Sequence, residues 1–500
     1  MQLNRFVKDI TIKRDGHMIK IRYLVLLGLI LILLSGCAQS SSMDIAGKSA
    51  AAGLAVTVSP NAASSSVEAS ASPMVPEQVD YCTSCHTDKQ QLIDSAKPVE
   101  PILNENKGEG CGGEVSPKEP WEKVLVNGVV FPTSIHGLNG CIDCHGGVNS
   151  PEKEVAHTGI TRNPSKDPEK VCGQCHPDIV ADFKNNLHSN LVGYMRVLDQ
   201  RSLPKDHPAL EEAFQDNCSS CHATCGECHV SRPNVDGGGF VNGHIFNRTP
   251  SMTENCTGCH GTRIGDEYMG KNEGLPADVH YQQASMVCVD CHSGSQMHGK
   301  LAECKSCHPG PEQTQLPPPD HRYGGIQSPR CESCHPNVAT GQDDVIMHQM
   351  HGGKLSCQVC HSVAYSNCDG CHVAVSDKTG NPYYETQKTT FSFLIGRNPM
   401  QSYDRPYEYV TVRHVPVVPD TFTFYGKDLL ARFDNLETWK YTTPHNIQRN
   451  TPQTKSCNTC HGDPNLFLTA DKVNPVELKA NRDVIVDSLP PLFSSGDQIP

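Results

Sequence analysis

The chain has 500 residues and a formal net charge of −13, and 37% of its residues are hydrophobic. Charges of both signs are scattered and no basic run follows the N-terminal segment, which argues against a nucleic-acid-binding protein. The hydrophobic share lies below the roughly 45–50% of ordinary globular domains. A core built from side chains alone is therefore not expected.

The N-terminus has the form of an export signal. Basic residues such as Lys13 and Arg14 precede an apolar run, Tyr23 to Leu34. This run is too short for a transmembrane helix, which needs about 20 residues, and suits a signal-peptide core. Its ending, Leu34-Ser35-Gly36-Cys37, resembles the lipobox of bacterial lipoproteins, which implies cleavage before Cys37 and lipidation of its sulfur. A plain secretory signal with an incidental cysteine is the alternative.

The predicted signal peptide covers residues 1–36, and residues 37–79 follow as the lipidated cysteine and a tether. The tether is rich in Ala and Ser and has no aromatic residue, which predicts disorder. Ala38 rather than Asp follows the lipidated cysteine, and in enteric-type sorting this implies the outer membrane. We expect an exported, lipid-anchored protein on the periplasmic or cell-surface face of that membrane.

A five-residue pattern, Cys-x-x-Cys-His, occurs twelve times in the rest of the chain. It is the attachment signature of c-type haem. Two thiols three residues apart lie on one side of a helical turn. There both can form thioether bonds to one porphyrin, while the next residue, His, binds the iron. The sequence therefore predicts twelve covalently bound haems c, and we number the motifs 1 to 12 in chain order.

The thioether cysteines of motifs 1 to 12 are Cys82 and Cys85, Cys141 and Cys144, Cys172 and Cys175, Cys218 and Cys221, Cys225 and Cys228, Cys256 and Cys259, Cys288 and Cys291, Cys304 and Cys307, Cys331 and Cys334, Cys357 and Cys360, Cys368 and Cys371, and Cys457 and Cys460. The proximal histidines in the same order are His86, His145, His176, His222, His229, His260, His292, His308, His335, His361, His372 and His461.

Disulfide bonds and zinc explain this pattern less well. A disulfide framework has no need for a histidine after every second cysteine, and zinc sites usually join two separated ligand clusters. The motifs use every cysteine except Cys37 and Cys111. Cys111 is interpreted as a spare thiol, with a thiolate ligand to a haem as the alternative.

The remaining histidines match the motifs in number. His17 precedes the apolar run, and twelve others are candidates for the distal axial position, one per haem. We therefore predict iron held between two histidines at nearly all haems, the alternative being that some are ordinary surface or core histidines. The distal candidates are His136, His157, His188, His207, His244, His280, His298, His321, His348, His351, His414 and His445.

Residues 80–375 are predicted to form a core with eleven haems. The motif spacing is irregular, so no solenoid is expected, although Cys218 and Cys225 are close enough that their haems should be neighbours. Roughly 32 residues per motif leave too little chain for a conventional core around each cofactor, so the porphyrins should form the core. The predicted fold class is a multihaem cytochrome c, loop-rich, with short helices packed around a haem stack and little regular sheet.

Residues 376–500 are predicted to form a C-terminal clasp with the twelfth haem. A small β-rich segment is expected near residues 390–430, because Tyr407 to Val417 alternates like a strand and Asp420 to Tyr425 looks similar. The clasp should fold back over the core between residues 376 and 456 and donate His414 and His445 as distal ligands. A surface insertion is the alternative.

The lipobox and the twelve motifs resemble bacterial multihaem c-type cytochrome lipoproteins of periplasmic and outer-membrane electron transfer. The stretch from Ala277 to His292 also resembles this family and its octahaem enzyme relatives, which implies that His280 is a distal ligand to a neighbouring haem. The resemblance implies anaerobic respiration. The implied partners are redox proteins, such as other cytochromes or a membrane quinol-oxidising complex, and a metal or mineral acceptor.

Three functions from different classes are compatible with these patterns. An electron-transfer conduit is favoured, because six-coordinate iron has no open position for substrate, and no catalytic residue is then required. The second is a reductase of nitrite, tetrathionate, selenite or a similar oxyanion, with one open haem. The third is a subunit of a cytochrome filament, which a shortage of histidines within the chain would have favoured.

Overall fold

The computed structural model describes residues 9–14, 17–22, 79–96, 116–300, 329–401 and 405–494. The chain divides into two units, residues 1–76 and 77–500. Several predicted sites lie outside the described residues, namely Cys37, Cys111, His321 and the whole of motif 8 with Cys304, Cys307 and His308.

The first unit contains one antiparallel hairpin, formed by β1 (Asp9–Arg14) and β2 (His17–Arg22). Isoleucines alternate with polar residues in both strands, which is the period of a β-strand. Asp15 and Gly16, a pair that favours two-residue hairpins, separate the strands in the sequence. Within the described ranges no helix is long and apolar enough to cross a bilayer, and the apolar run Tyr23 to Leu34 lies outside those ranges.

The second unit is built from short helices joined by loops. Its α-helices are Tyr81–His86, Lys89–Ser95, Cys141–His145, Lys153–Ala156, Pro177–Phe183, Leu187–Asn190, Val192–Arg201, His207–Asn217, Cys225–His229, Thr257–Cys259, Asp266–Met269, Val279–Ala284, Cys288–Cys291, Gly294–Met297, Pro336–Ala339, Ile346–His351 and Cys357–His361. Single turns of 3₁₀-helix carry motifs 3, 4, 9 and 12, at Cys172–Gln174, Ser219–Cys221, Cys331–Ser333 and Cys457–Thr459. The predicted loop-rich fold of short helices with little sheet is confirmed.

Most motifs start a helical turn, as their chemistry requires. At motif 5 the Thr224 backbone N–H donates to Glu227 Oε2 over 3.0 Å, and the Thr224 side chain completes a capping box. Such a box satisfies the N–H groups that the first turn leaves without partners. The two cysteines are thereby held one turn apart on a fixed helix end.

Motif 11 differs from this pattern. Cys368 lies in β3 (Ser366–Asp369) and His372 lies in β4 (His372–Val375), so this motif joins two strands rather than starting a helix. The register runs on without a shift from Ser366↔Phe391 to Val375↔Pro382, so the chain continues in one direction. Gly370 interrupts the strand with φ of +69°, a region that glycine enters at little cost. The prediction of a helical turn is therefore wrong for this motif, and its partners are β6 (Lys388–Phe391) for β3 and β5 (Pro382–Glu385) for β4.

A three-stranded sheet lies further along the chain, with the order β7 (Leu394–Arg397), β8 (Tyr409–His414) and β9 (Trp439–Tyr441). The predicted strand over Tyr407 to Val417 contains β8. The predicted strand over Asp420 to Tyr425 is wrong, because this stretch forms turns. The N–H of Thr423 bonds the Asp420 carbonyl, and the N–H of Tyr425 bonds the Phe422 carbonyl.

Two apolar clusters position the C-terminal segment. Val410 and Val412 of β8 are fully buried against Leu468 and Val484. A second cluster joins the helices Val192–Arg201 and His207–Asn217 to residues of the C-terminal segment such as Phe422 and Leu430. The buried guanidinium of Arg201 donates to the carbonyls of Phe433 and Glu437. Residues 376–456 thus pack on the preceding helices.

Candidate haem sites

A cavity system of about 6020 Å³ runs through the second unit, and cysteines and histidines of the motifs line it. Its volume is at least sixfold larger than the roughly 300–1,000 Å³ of a single ligand pocket. The space suits several large cofactors side by side. Within the described ranges no disulfide joins the motif cysteines, so their sulfurs are available for thioether bonds.

Eight proximal histidines face a predicted distal histidine across this cavity, with ring centres between 5.8 and 6.4 Å apart. The pairs are His86 with His157, His145 with His244, His176 with His136, His229 with His298, His260 with His188, His335 with His280, His361 with His348, and His461 with His351.

This separation fits one iron between two rings. A metal lies about 2 Å from an imidazole nitrogen, and the ring centre is roughly 1 Å further on. Two rings on opposite sides of one metal are then about 6 Å apart. The eight observed separations agree with this value.

In several proximal histidines, Nδ1 is hydrogen-bonded to a backbone carbonyl oxygen. Nδ1 of His145 lies 2.9 Å from the Thr161 carbonyl oxygen, and Nδ1 of His229 lies 2.7 Å from that of Asn247. His86, His361 and His461 have equivalent contacts at 3.2, 3.0 and 2.9 Å. A carbonyl accepts, so Nδ1 carries the proton and the lone pair of Nε2 is left for iron.

Distal rings are oriented in the same way, and here a local pattern recurs. Asn186 caps its helix, and its Oδ1 lies 2.9 Å from Nδ1 of His188. Asp278 does the same for His280 at 3.0 Å. In both cases an Asx residue lies two positions before the histidine. Sequence reasoning missed these positioning residues, although the Asx-x-His spacing at a helix start could have indicated them.

Burial keeps several of these rings neutral. Desolvation and neighbouring histidines lower the pKa of His244 and of His260 to about 4. Desolvation, followed by the nearby His292, also lowers the pKa of His445 to about 4. Neutral imidazole is the form that binds a metal. His445 lines the cavity and lies near two proximal histidines, His292 of motif 7 and His260 of motif 6. His260 already faces His188, so motif 7 is the one that His445 can serve.

His414 does not fit the predicted distal role. Its Nδ1 lies 3.0 Å from Asp369 Oδ1 and its Nε2 lies 3.0 Å from Glu477 Oε2. Desolvation opposes protonation, but the two carboxylates outweigh it and raise the pKa of His414 to about 9. The ring is therefore an imidazolium that donates from both nitrogens, and neither is left for iron. The structure argues against His414 as a ligand.

Two proximal histidines and one distal candidate have other surroundings. His372 Nε2 lies 3.3 Å from Glu385 Oε2, its cross-strand neighbour. His222 ends the 3₁₀ turn of motif 4 in an extended conformation. His207 Nδ1 lies 3.7 Å from Asp199 Oδ1, and its buried Nε2 has no hydrogen-bond partner among the residues that the structure describes.

Cysteines of different motifs are also neighbours, so that each thiol alters the pKa of the next. In the mature protein these sulfurs would be thioethers, and only their proximity matters. The neighbouring pairs are Cys82 with Cys141, Cys144 with Cys172, Cys172 with Cys225, Cys228 with Cys256, Cys256 with Cys288, Cys291 with Cys334, Cys331 with Cys357, and Cys360 with Cys460.

Among the motifs that the structure describes, these neighbouring cysteines connect motifs 1, 2, 3, 5, 6, 7, 9, 10 and 12 in that order. Motifs 4 and 5 follow each other closely in the sequence but do not share one helix. The 3₁₀ turn of motif 4 ends at Cys221, the Ala223 N–H bonds the His188 carbonyl, and a new helix starts at Cys225. Cys225 lies near Cys172 of motif 3.

The motifs, the opposed histidines and the cavity define a multihaem c-type cytochrome of the electron-transfer type. Residues 129–223, which contain motifs 2, 3 and 4, match the family model of cytochrome c7 and related cytochrome c. No curated protein and no solved structure matches the chain.

Proposed function

We propose that this protein is a lipid-anchored dodecahaem cytochrome that relays electrons between a redox donor and a periplasmic or extracellular acceptor. The eight opposed histidine pairs carry the proposal, because a histidine on each side of an iron leaves no position for substrate. Bound haem supplies reversible one-electron chemistry.

The chain's own residues set the conditions for this transfer. The histidine pairs lack the methionine ligand that raises haem potential. The carbonyl and carboxylate acceptors on Nδ1 increase the basicity of the rings, which favours ferric iron. Potentials should therefore be low, and they should spread because burial differs from site to site. Haems attached along the series of motifs with neighbouring cysteines would lie close enough to one another for electron tunnelling, which falls steeply with distance.

The expected donor is another cytochrome or a membrane quinol-oxidising complex, and the expected acceptor is a metal or mineral. The net charge of −13, to which haem propionates would add, favours a positively charged partner surface or a cationic metal. Lipidation at Cys37 would hold the folded unit at the membrane through residues 38–79.

A reductase with one open haem is the second candidate, because the contacts of His414 leave one distal histidine too few; the same shortage also suits a filament subunit. With His414 held by Asp369 and Glu477, eleven distal candidates remain for twelve motifs. The eight pairs and His445 leave His207 and His321 for motifs 4, 8 and 11. One iron among these three then lacks a histidine from this chain.

Intact mass measurement followed by a redox titration of the purified holoprotein tests the proposal. We expect the mass of twelve covalent haems and a broad, low-potential titration with low-spin spectra. Fewer haems would disprove the stoichiometry. A narrow titration at high potential, or predominantly high-spin iron, would contradict the conduit.

A further inference from the structure

Motif 6 contacts its neighbours on two sides. Cys256 lies against Cys288 of motif 7, as described above. Directly after motif 4, the Ala223 N–H bonds the His188 carbonyl at 2.8 Å, and the His188 ring faces His260 of motif 6 with ring centres 5.9 Å apart. Motif 6 would therefore hold its haem next to the haems of both motif 4 and motif 7. Motif 4 is absent from the linear series, so this contact starts a side path.

Motif 4 is in turn connected to motif 11 by one aromatic residue. Tyr384 of β5 is half-buried and lines the cavity. In the β4–β5 pair Tyr384 is opposite Val373, two residues after Cys371. Its ring packs on the cluster that includes Leu210 and Ala213 of the helix His207–Asn217, which ends directly before Cys218. Tyr384 therefore lies between the chain segments that carry motif 4 and motif 11. Tyr384 is fixed by packing on Phe422, with ring centres 6.2 Å apart.

Motif 11 brings this path to the protein surface. The side chain of its proximal His372 is 37% exposed, and that of Glu385 opposite is 51% exposed. The loop of motif 11 is anchored from the other side by the hydrogen bond between Asp369 and His414. A surface haem at the end of a path is a position at which a partner can exchange electrons.

We propose that the conduit is branched: motif 6 is a junction, and a side path through motif 4 and Tyr384 leads to a third electron port at motif 11. The other two ports are the ends of the linear series, at motifs 1 and 12. The inference rests on the proposed function. A redox protein or small oxidant at motif 11 would draw electrons without passing through motifs 7 to 12.

Light-driven injection of electrons at one known position tests the branch. A ruthenium photosensitiser is attached at Val129→Cys in a Cys111→Ser background, with a sacrificial amine as electron source. Val129 is 81% exposed, and the Phe131 ring close to it in the chain lies 4.5 Å from the ring of His244, the partner of His145. Electrons thus enter near motif 2. Three proteins are compared: the parent, a Cys218→Ser/Cys221→Ser variant that lacks haem 4, and a Cys457→Ser/Cys460→Ser variant that lacks end haem 12 as control.

In the parent we expect reduction to spread to all haems in a fast phase. Without haem 4, one further haem should move to a phase slower by at least an order of magnitude, whereas the control should show no such phase. Wild-type rates for every haem left in the variant lacking haem 4 would overturn the branch alone. Electrons that stay near position 129 in the parent would overturn the conduit itself.

Loss of haem 4 could disrupt folding, so the side path is also tested with substitutions of Tyr384 that leave every haem site intact. Tyr384→Ala should keep all haems, verified by intact mass, and slow the reduction of one haem. Tyr384→Phe keeps the ring and should reduce that haem at the parent rate. Equal rates in the parent and both variants would overturn the role of Tyr384 in the side path.

Discussion

His280 faces His335 with ring centres 6.1 Å apart, and its Nδ1 lies 3.0 Å from Asp278 Oδ1. Helix capping by Asp278 thus orients a ring that belongs to a motif far along the chain. We infer that the iron of motif 9 lies between these two histidines.

Removing the distal ring of His280 should leave a free coordination position at the iron of motif 9 and at no other iron. In His280→Ala we expect one high-spin haem and one new carbon monoxide site, because the proximal His335 is left alone. Electron paramagnetic resonance of the oxidised protein measures the spin state. Gln282→Ala on the same helix, at an exposed position, is the matched control and should stay low-spin. An unchanged spectrum in His280→Ala would disprove this pairing.

The carboxylate that orients His280 should tune the potential of the same haem. Asp278→Asn keeps an acceptor for the helix cap but removes the negative charge beside Nδ1, which weakens the basicity of the ring. The potential of one haem should therefore rise, while the spin state and haem count stay as in the parent. A redox titration measures the shift, and a uniform shift of all haems would contradict a local effect.

Because of His414, the free energy of unfolding should decrease as the pH rises into the alkaline range. Its folded pKa, about 9, lies above the ordinary histidine value of 6.5, so its ion pairs with Asp369 and Glu477 stabilise the fold fully below pH 6.5. This contribution is lost as pH rises through 9, and it amounts to about 3 kcal/mol for a shift of this size. Denaturant unfolding at pH 6 and 9.5 measures it. His414→Gln should be less stable at pH 6 and should lose most of this pH dependence; an unchanged dependence would refute the assignment.

Lipidation gives a prediction about location. Cys37→Ala should release the mature protein from the membrane fraction, because the acyl chains on that sulfur would be the anchor. Cell fractionation with haem staining measures the distribution. Cys111→Ser serves as the control and should leave the protein membrane-bound. Retention of Cys37→Ala in the membrane would exclude the lipobox interpretation.

The sequence predicts the covalent sites by itself because their chemistry requires a fixed spacing, as in Cys225, Cys228 and His229. The axial pairs could not be predicted, because they depend on the tertiary path. His188 meets His260 only after the chain between them has folded. Counting histidines also misassigned His414, since its partners Asp369 and Glu477 are distant in sequence and only the fold brings them to it.

The strand prediction shows the same limit on a smaller scale. The alternation around β8 reflects a strand with buried Val410 and Val412. A similar alternation in Asp420 to Tyr425 belongs to turns, because Thr421 Oγ1 instead donates to the Cys371 carbonyl at 2.6 Å. The strands of motif 11 could not be predicted, because its Cys-x-x-Cys-His sequence is the same as that of the helical motifs.

Carbon monoxide binding to the fully reduced protein tests the central claim most directly, namely that the irons are held between paired histidines. The eight opposed pairs and the histidines left for the other motifs predict binding at no more than one haem per chain. That haem should be one of motifs 4, 8 and 11. Stoichiometric binding at several haems of an intact preparation would contradict the account.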